Sequence, residues 1–167
     1  MRTALIQMPY TRPHRAIALV GFLVATYMVA AVSTVFTAPA IAGWYAGLAK
    51  PSFNPPNEIF GPVWLALYTL MAIAGWLVWK RADSELRSRA LLLFWVQLAL
   101  NFGWSFLFFW GHRIGLAVVE ILLLWLAILG TTVLFFRLRK MAGWMFVPYL
   151  AWVSFASLLN FAIWRRN

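Results

Sequence analysis

The chain has 167 residues, is 64% hydrophobic and 11% charged, and carries a formal charge of +10 with no cysteine. A soluble domain this small has too little interior to hide so much apolar surface, so lipid is the expected solvent. Disulfides and thiolate metal sites are excluded by composition. The basic excess does not indicate nucleic acid, because most of the 14 basic residues lie in short gaps between apolar runs, where they set membrane topology.

Residues 1–15, "MRTALIQMPYTRPHR", form a basic N-terminal segment. A spanning helix needs about 20 mostly apolar residues. Five such runs follow, at 16–36, 59–79, 90–110, 115–136 and 142–164. They lack strict apolar/polar alternation and are about twice the length of a barrel strand, so they read as helices. The first run is long enough to span, and "TAPA" is its only cleavage-like feature, so it reads as a helix and not a signal peptide. Residues 16–167 form one all-α membrane domain, a five-helix bundle with a long structured loop between the first two helices. There is no internal repeat, which leaves an inverted-repeat transporter without support.

With five spans, ten basic residues fall on one side: Arg2, Arg12, Arg15, Lys80, Arg81, Arg87, Arg89, Arg137, Arg139 and Lys140. The other side has Lys50, Arg113, Arg165 and Arg166. In an inner membrane the positive-inside rule then puts the N terminus in the cytoplasm.

The first gap, residues 37–58, is long for a compact bundle and holds "KPSFNPP". Its prolines fix φ and restrict the residues before them, so the segment is stiff. Trp44, Tyr45 and Phe53 are apolar enough to need burial. An interfacial aromatic belt would explain single aromatics. A rigid backbone where aromatics cluster points instead to a preformed lid: Trp44, Lys50, Pro51, Phe53, Asn54, Pro55 and Pro56, over one end of the bundle.

At about 100° per residue, polar and large aromatic residues share faces. Trp64, Tyr68, Met71 and Gly75 do so in the second helix. Gln97, Asn101, Trp104 and Phe108 do so in the third, and Pro148, Tyr149, Trp152, Ala156 and Asn160 in the fifth. Polar side chains in lipid face protein or a cavity. The stripes fit either solid helix packing, with Asn and Gln bonding across helices, or a pocket for a flat, largely apolar ligand. On the third helix, Ala99 and Gly103 lie four apart and opposite the Asn101/Trp104 stripe, a small-xxx-small spacing that suits a homodimer contact. Glu120 stands roughly 8 Å into the fourth helix. An intramembrane carboxylate is a functional candidate by default, but no basic partner or nucleophile–base arrangement accompanies it. His14 and His112 lie far apart near the membrane edges, so no protein-built metal site is expected.

"WYAGLAKPSFNPP", "VWLALY", "QLALNFGWSFLFF" and "FVPYLAWVSFASLLNF" resemble the TspO/MBR family of translocator and tryptophan-rich sensory proteins, over roughly residues 19–164. The resemblance implies a five-helix membrane bundle, often a homodimer, with the first loop covering a pocket. Porphyrins such as protoporphyrin IX, and synthetic isoquinoline or benzodiazepine ligands, are the implied occupants; no cofactor is implied. By motif position Tyr45, Asn101, Trp104 and Ala156 match pocket residues, and Tyr68 joins them from its stripe. Trp64 and Trp152 match a tryptophan pair implicated in porphyrin chemistry, and would be the catalytic residues if the protein is an enzyme. Phe53 stands where many members have a second Trp. The family's sterol pattern is incomplete here, since Phe161 stands where Tyr would be, between Leu159 and Arg165. Such patterns are weak even when complete. The implied roles are a porphyrin-binding sensory protein, a porphyrin or lipid transporter, or a light- and oxygen-dependent porphyrin-degrading enzyme.

Overall fold

The computed structural model describes residues 12–167; most of the basic N-terminal segment, residues 1–11, lies outside them. Five long helices follow one another: α1 (Arg12–Ala42), α2 (Asn57–Trp79), α3 (Glu85–Ser105), α4 (Ile114–Leu138) and α5 (Lys140–Trp164). Each is long and apolar enough to cross a membrane. With lipid outside, each helix satisfies its own backbone polar groups. The protein is an integral, multi-pass membrane protein.

The helix ends have local causes. Ser84 caps α3, its side chain accepting from the Arg87 N–H at 3.2 Å. This cap starts α3 at Glu85, five residues before the apolar run begins. Arg87 then bonds Asp83 at 2.6 Å, and Arg89 pairs with Glu85 one turn along. α2 is entered from Pro55–Pro56, with Glu58 in its first turn. α4 and α5 are joined through Arg139 alone, in extended conformation.

One expectation needs correction. α1 runs to Ala42, through Pro39, not to residue 36. Proline removes one backbone bond, a loss that membrane helices tolerate. Thr34 and Thr37 meanwhile send their hydroxyls back to the carbonyls of Ala30 and Ser33. The connecting loop is therefore residues 43–56, with one 3-10 turn at Trp44–Gly47. The third span does reach Trp110, but its last turn, Phe106–Trp110, is a π-helical turn.

The helices close a ring in the order α1, α2, α5, α4, α3 and back to α1. The end of the ring near the α2–α3 and α4–α5 connections is solid. Met71, Ala72, Val78, Ala90, Phe94, Ile128, Phe135, Ala142 and Phe146 fill it, each fully buried. Gly75 belongs here: a Cβ on it would stand 2.8 Å from the Phe22 ring, so α1 approaches α2 closely at that level. The opposite end, beneath the 43–56 loop, is hollow.

Candidate functional site: an aromatic cavity beneath the first loop

The hollow end encloses a cavity of about 540 Å³, within the range of small-molecule sites. α1, α2, α3 and α5 wall it, and α4 contributes nothing. From α2 come Trp64 and Tyr68, from α3 Asn101 and Trp104, and from α5 Trp152, Ala156 and Asn160. Tyr45 closes it from the loop. Every residue expected in the pocket by motif position thus lies on one wall system.

Aromatic edges and faces fix its shape. The Trp64 ring lies 5.5 Å from Tyr68 and 6.2 Å from Tyr149. Trp104 stacks on Phe108 at 5.2 Å. Trp152 meets Phe60 edge-on at 5.7 Å. These geometries hold rings rigidly at little entropic cost. The π-helical turn brings Phe108 and Phe109 to the wall together, a use such turns often serve at functional sites.

Polar groups are few and mostly committed. Tyr68 donates to Asn101 Oδ1 at 2.5 Å, and Asn101 Nδ2 donates to the Tyr149 hydroxyl at 3.0 Å. Trp104 Nε1 donates to Asn160 Oδ1 at 2.9 Å. Among the described residues, the indole N–H groups of Trp64 and Trp152 donate to no protein acceptor. Those two donors remain available to an occupant.

The 43–56 loop is anchored from several directions. Tyr45 donates to Asn54 Oδ1 at 2.8 Å, and Lys50 Nζ lies 4.7 Å over the Tyr45 ring. Burial raises the Tyr45 phenol above its ordinary pKa. Trp44 stacks on His112 at 4.1 Å, with His112 held at a φ of 52°. Phe53 touches Phe155 edge-on. Asn167 pairs its side-chain amide with the backbone of Ala49. Of the loop residues only Tyr45 reaches the cavity wall. Trp44, Lys50, Pro51, Phe53, Asn54, Pro55 and Pro56 back it and do not line it.

Several sequence expectations land elsewhere. Met71, Gly75, Gln97 and Tyr149 share faces with wall residues but lie deeper, in solid core. Pro148 is exposed on the outer face of α5. Ala99 is exposed on α3, whereas Gly103 is half-buried, and a Cβ there would stand 3.6 Å from Glu120 Oε1. Gly103 thus lies partly against α4, while Ala99 faces outward. Both Glu120 oxygens are buried without a hydrogen-bond partner, and the residue is not on the cavity wall. The α1 wall was missed. Tyr27, Ser33, Thr34 and Thr37 line the cavity, and hydroxyls at 33, 34 and 37 within one apolar span were the signal.

Fold and cavity together define a five-span membrane protein with an internal aromatic site under a fixed loop. The chain matches the TspO/MBR family over residues 21–165 and belongs to it. It is 42% identical to the human translocator protein over 126 residues, covering 74% of this chain and 75% of that one. It is 40% identical to the tryptophan-rich protein TspO of Archaeoglobus fulgidus over 149 residues, covering 89% and 96%. It is also 40% identical to the tryptophan-rich sensory protein of Cereibacter sphaeroides over 124 residues, covering 74% and 77%.

Proposed function

We propose that the protein is a membrane sensory or translocator-type receptor that binds a porphyrin, such as protoporphyrin IX, in the cavity beneath the 43–56 loop. The observation that carries this reading is the cavity wall. Ring faces from α2, α3 and α5 surround a space of about 540 Å³ with only a few polar groups. That suits a flat, largely apolar ligand with polar substituents. Family membership and the relatives' names support a sensory or translocator role.

A second reading is favoured by one feature. Trp64 and Trp152 both line the cavity, so an excited porphyrin bound there would have indole electron donors beside it. In that case the protein degrades porphyrin with light and oxygen. Titration with protoporphyrin IX in the dark and then under light separates the two, using wild type and Trp64→Phe/Trp152→Phe. Saturable Trp quenching with an unchanged porphyrin spectrum supports the receptor. Light-dependent loss of porphyrin bands that needs both tryptophans supports the enzyme. Absence of saturable quenching in either condition rejects both.

In an inner membrane, the basic excess on one side of the bundle puts the N terminus in the cytoplasm. Single-cysteine labelling at Ser84 and Ser52, on a chain with no native cysteine, tests it: Ser84 alone should be accessible from the cytoplasm. Homodimerisation through the exposed Ala99 face predicts that Ala99→Leu is monomeric in detergent.

A further inference from the structure

The solid end of the bundle carries charges that the cavity does not use. Trp76 organises them. Its Nε1 donates to the Arg15 carbonyl at 2.7 Å, tying the start of α1 to the end of α2. Lys80 Nζ lies 3.3 Å over the same ring. Arg139, the single-residue link between α4 and α5, stands near enough for its charge to act on Lys80. Burial first, then the charges of Arg139 and Arg15, hold Lys80 below its ordinary pKa. Arg15 and Lys80 thus come together at Trp76, and Arg139 lies at the same end of the bundle.

No carboxylate answers them. The sequence has four acidic residues, Glu58, Asp83, Glu85 and Glu120. Asp83 and Glu85 are taken by Arg87 and Arg89. Glu58 lines the cavity and Glu120 lies beside Gly103, both towards the other end. Arg15 Nε is buried without a hydrogen-bond partner.

Topology alone does not account for this arrangement. Charges that orient a membrane protein work equally well when exposed, as Arg81, Arg89, Arg137 and Lys140 are. Arg15, Lys80 and Arg139 are instead half-buried. Partial burial of like charges is costly unless an anion accompanies them. The 25-residue helix α5 also begins here, at Lys140 just after Arg139, with no side-chain cap on its first amides; such a terminus adds to the attraction for an anion.

We propose that Arg15, Lys80 and Arg139 form a binding site for a phosphate group, supplied by the headgroup of an anionic phospholipid. The three residues flank the ends of the spans, at the depth where headgroups lie, and basic crevices between spanning helices hold such headgroups. The cluster is separate from the cavity, whose wall includes none of the three residues, so the proposal stands whether or not porphyrin binds.

The test uses the full chain in detergent and in nanodiscs. Native mass spectrometry counts retained phosphatidylglycerol against phosphatidylcholine. Wild type should prefer the anionic lipid, and Lys80→Gln/Arg139→Gln should lose that preference by about tenfold. Arg81→Gln/Arg137→Gln removes equal charge from exposed positions and should keep it. Equal losses in both variants, or no preference in wild type, would overturn the site. Should the first variant fail to fold, Arg15→Gln replaces it and must weaken retention about fivefold; unchanged retention overturns the site. Thermal stabilisation of wild type by inorganic phosphate, as large as that by phosphatidylglycerol, would overturn the lipid as the source.

Discussion

Asn167 and Ala49 are joined in both directions: the Ala49 N–H donates to Asn167 Oδ1 at 3.0 Å, and Asn167 Nδ2 donates to the Ala49 carbonyl at 3.2 Å. One side-chain amide thus replaces a backbone partner for the loop and ties it to the end of α5. Arg166 adds a longer bond to the Lys50 carbonyl. The loop is held at its middle, beside the turn that carries Tyr45.

Loss of this pair should loosen the loop without unfolding the bundle. Each bond is worth about 0.5–1.5 kcal/mol net. Asn167→Ala should therefore raise the dissociation rate of a cavity ligand by about tenfold. Its melting temperature should fall by no more than several degrees, because none of the solid core is touched. Stopped-flow release of protoporphyrin IX and amide exchange at Ala49 are the two readouts. An unchanged exchange rate at Ala49 would show that the pair does not hold the loop.

Tyr68, Asn101 and Tyr149 make a different kind of link, fully inside the bundle. Removing the Tyr68 hydroxyl leaves Asn101 Oδ1 buried without its donor, a cost of about 1–3 kcal/mol. Tyr68→Phe should lower the melting temperature by several degrees, at about 2–4 °C per kcal/mol for a chain of this size. Asn101→Leu should cost at least as much, since it also strips Tyr149 of its donor. The double variant should cost less than the sum, because residues in one network do not act independently. Additive losses would show that the three groups are not coupled.

The stripes that were legible in the sequence explain why the cavity could be anticipated and why its depth could not. Trp64 with Tyr68, and Asn101 with Trp104, lie on single helical faces, and polar groups in lipid turn towards protein or a cavity. Helical periodicity fixes direction but not level. Met71 and Gln97 obey the same period as the wall residues, yet meet Phe94-level packing and not open space. The α1 wall was legible only in its hydroxyls: Ser33 and Thr34 fall inside the 16–36 run, but that run stops before Thr37, which α1 carries on through Pro39 to Ala42. Asn167 was invisible because its partner is a backbone group 118 residues away.

Tyr45 gives the loop a pH dependence with a definite sign. Burial raises its folded-state pKa above the ordinary 10.0. The neutral phenol, donating to Asn54, is the form the closed loop prefers. Its contribution is complete below the unfolded pKa of 10.0 and is lost as pH rises through the folded value. Ligand release should accelerate as pH rises from 10.0 towards that value and level off above it. Tyr45→Phe should release ligand faster at neutral pH, having lost the Asn54 bond, and show a flatter alkaline rise. An alkaline rise as steep in Tyr45→Phe as in wild type would assign it to another group.

Glu120 is buried away from the cavity wall. Both carboxyl oxygens are buried without partners, between α4 and Gly103 of α3. A buried polar group lacking a bond costs about 1–3 kcal/mol, whereas an apolar group of similar shape costs little. Glu120→Met should therefore raise the melting temperature by several degrees, at about 2–4 °C per kcal/mol. Ligand affinity should be unchanged, because Glu120 is not on the cavity wall. Glu120→Gln should stabilise less, since the amide still needs partners. A fall in porphyrin affinity or turnover in Glu120→Met, with stability retained, would instead return Glu120 to the functional residues.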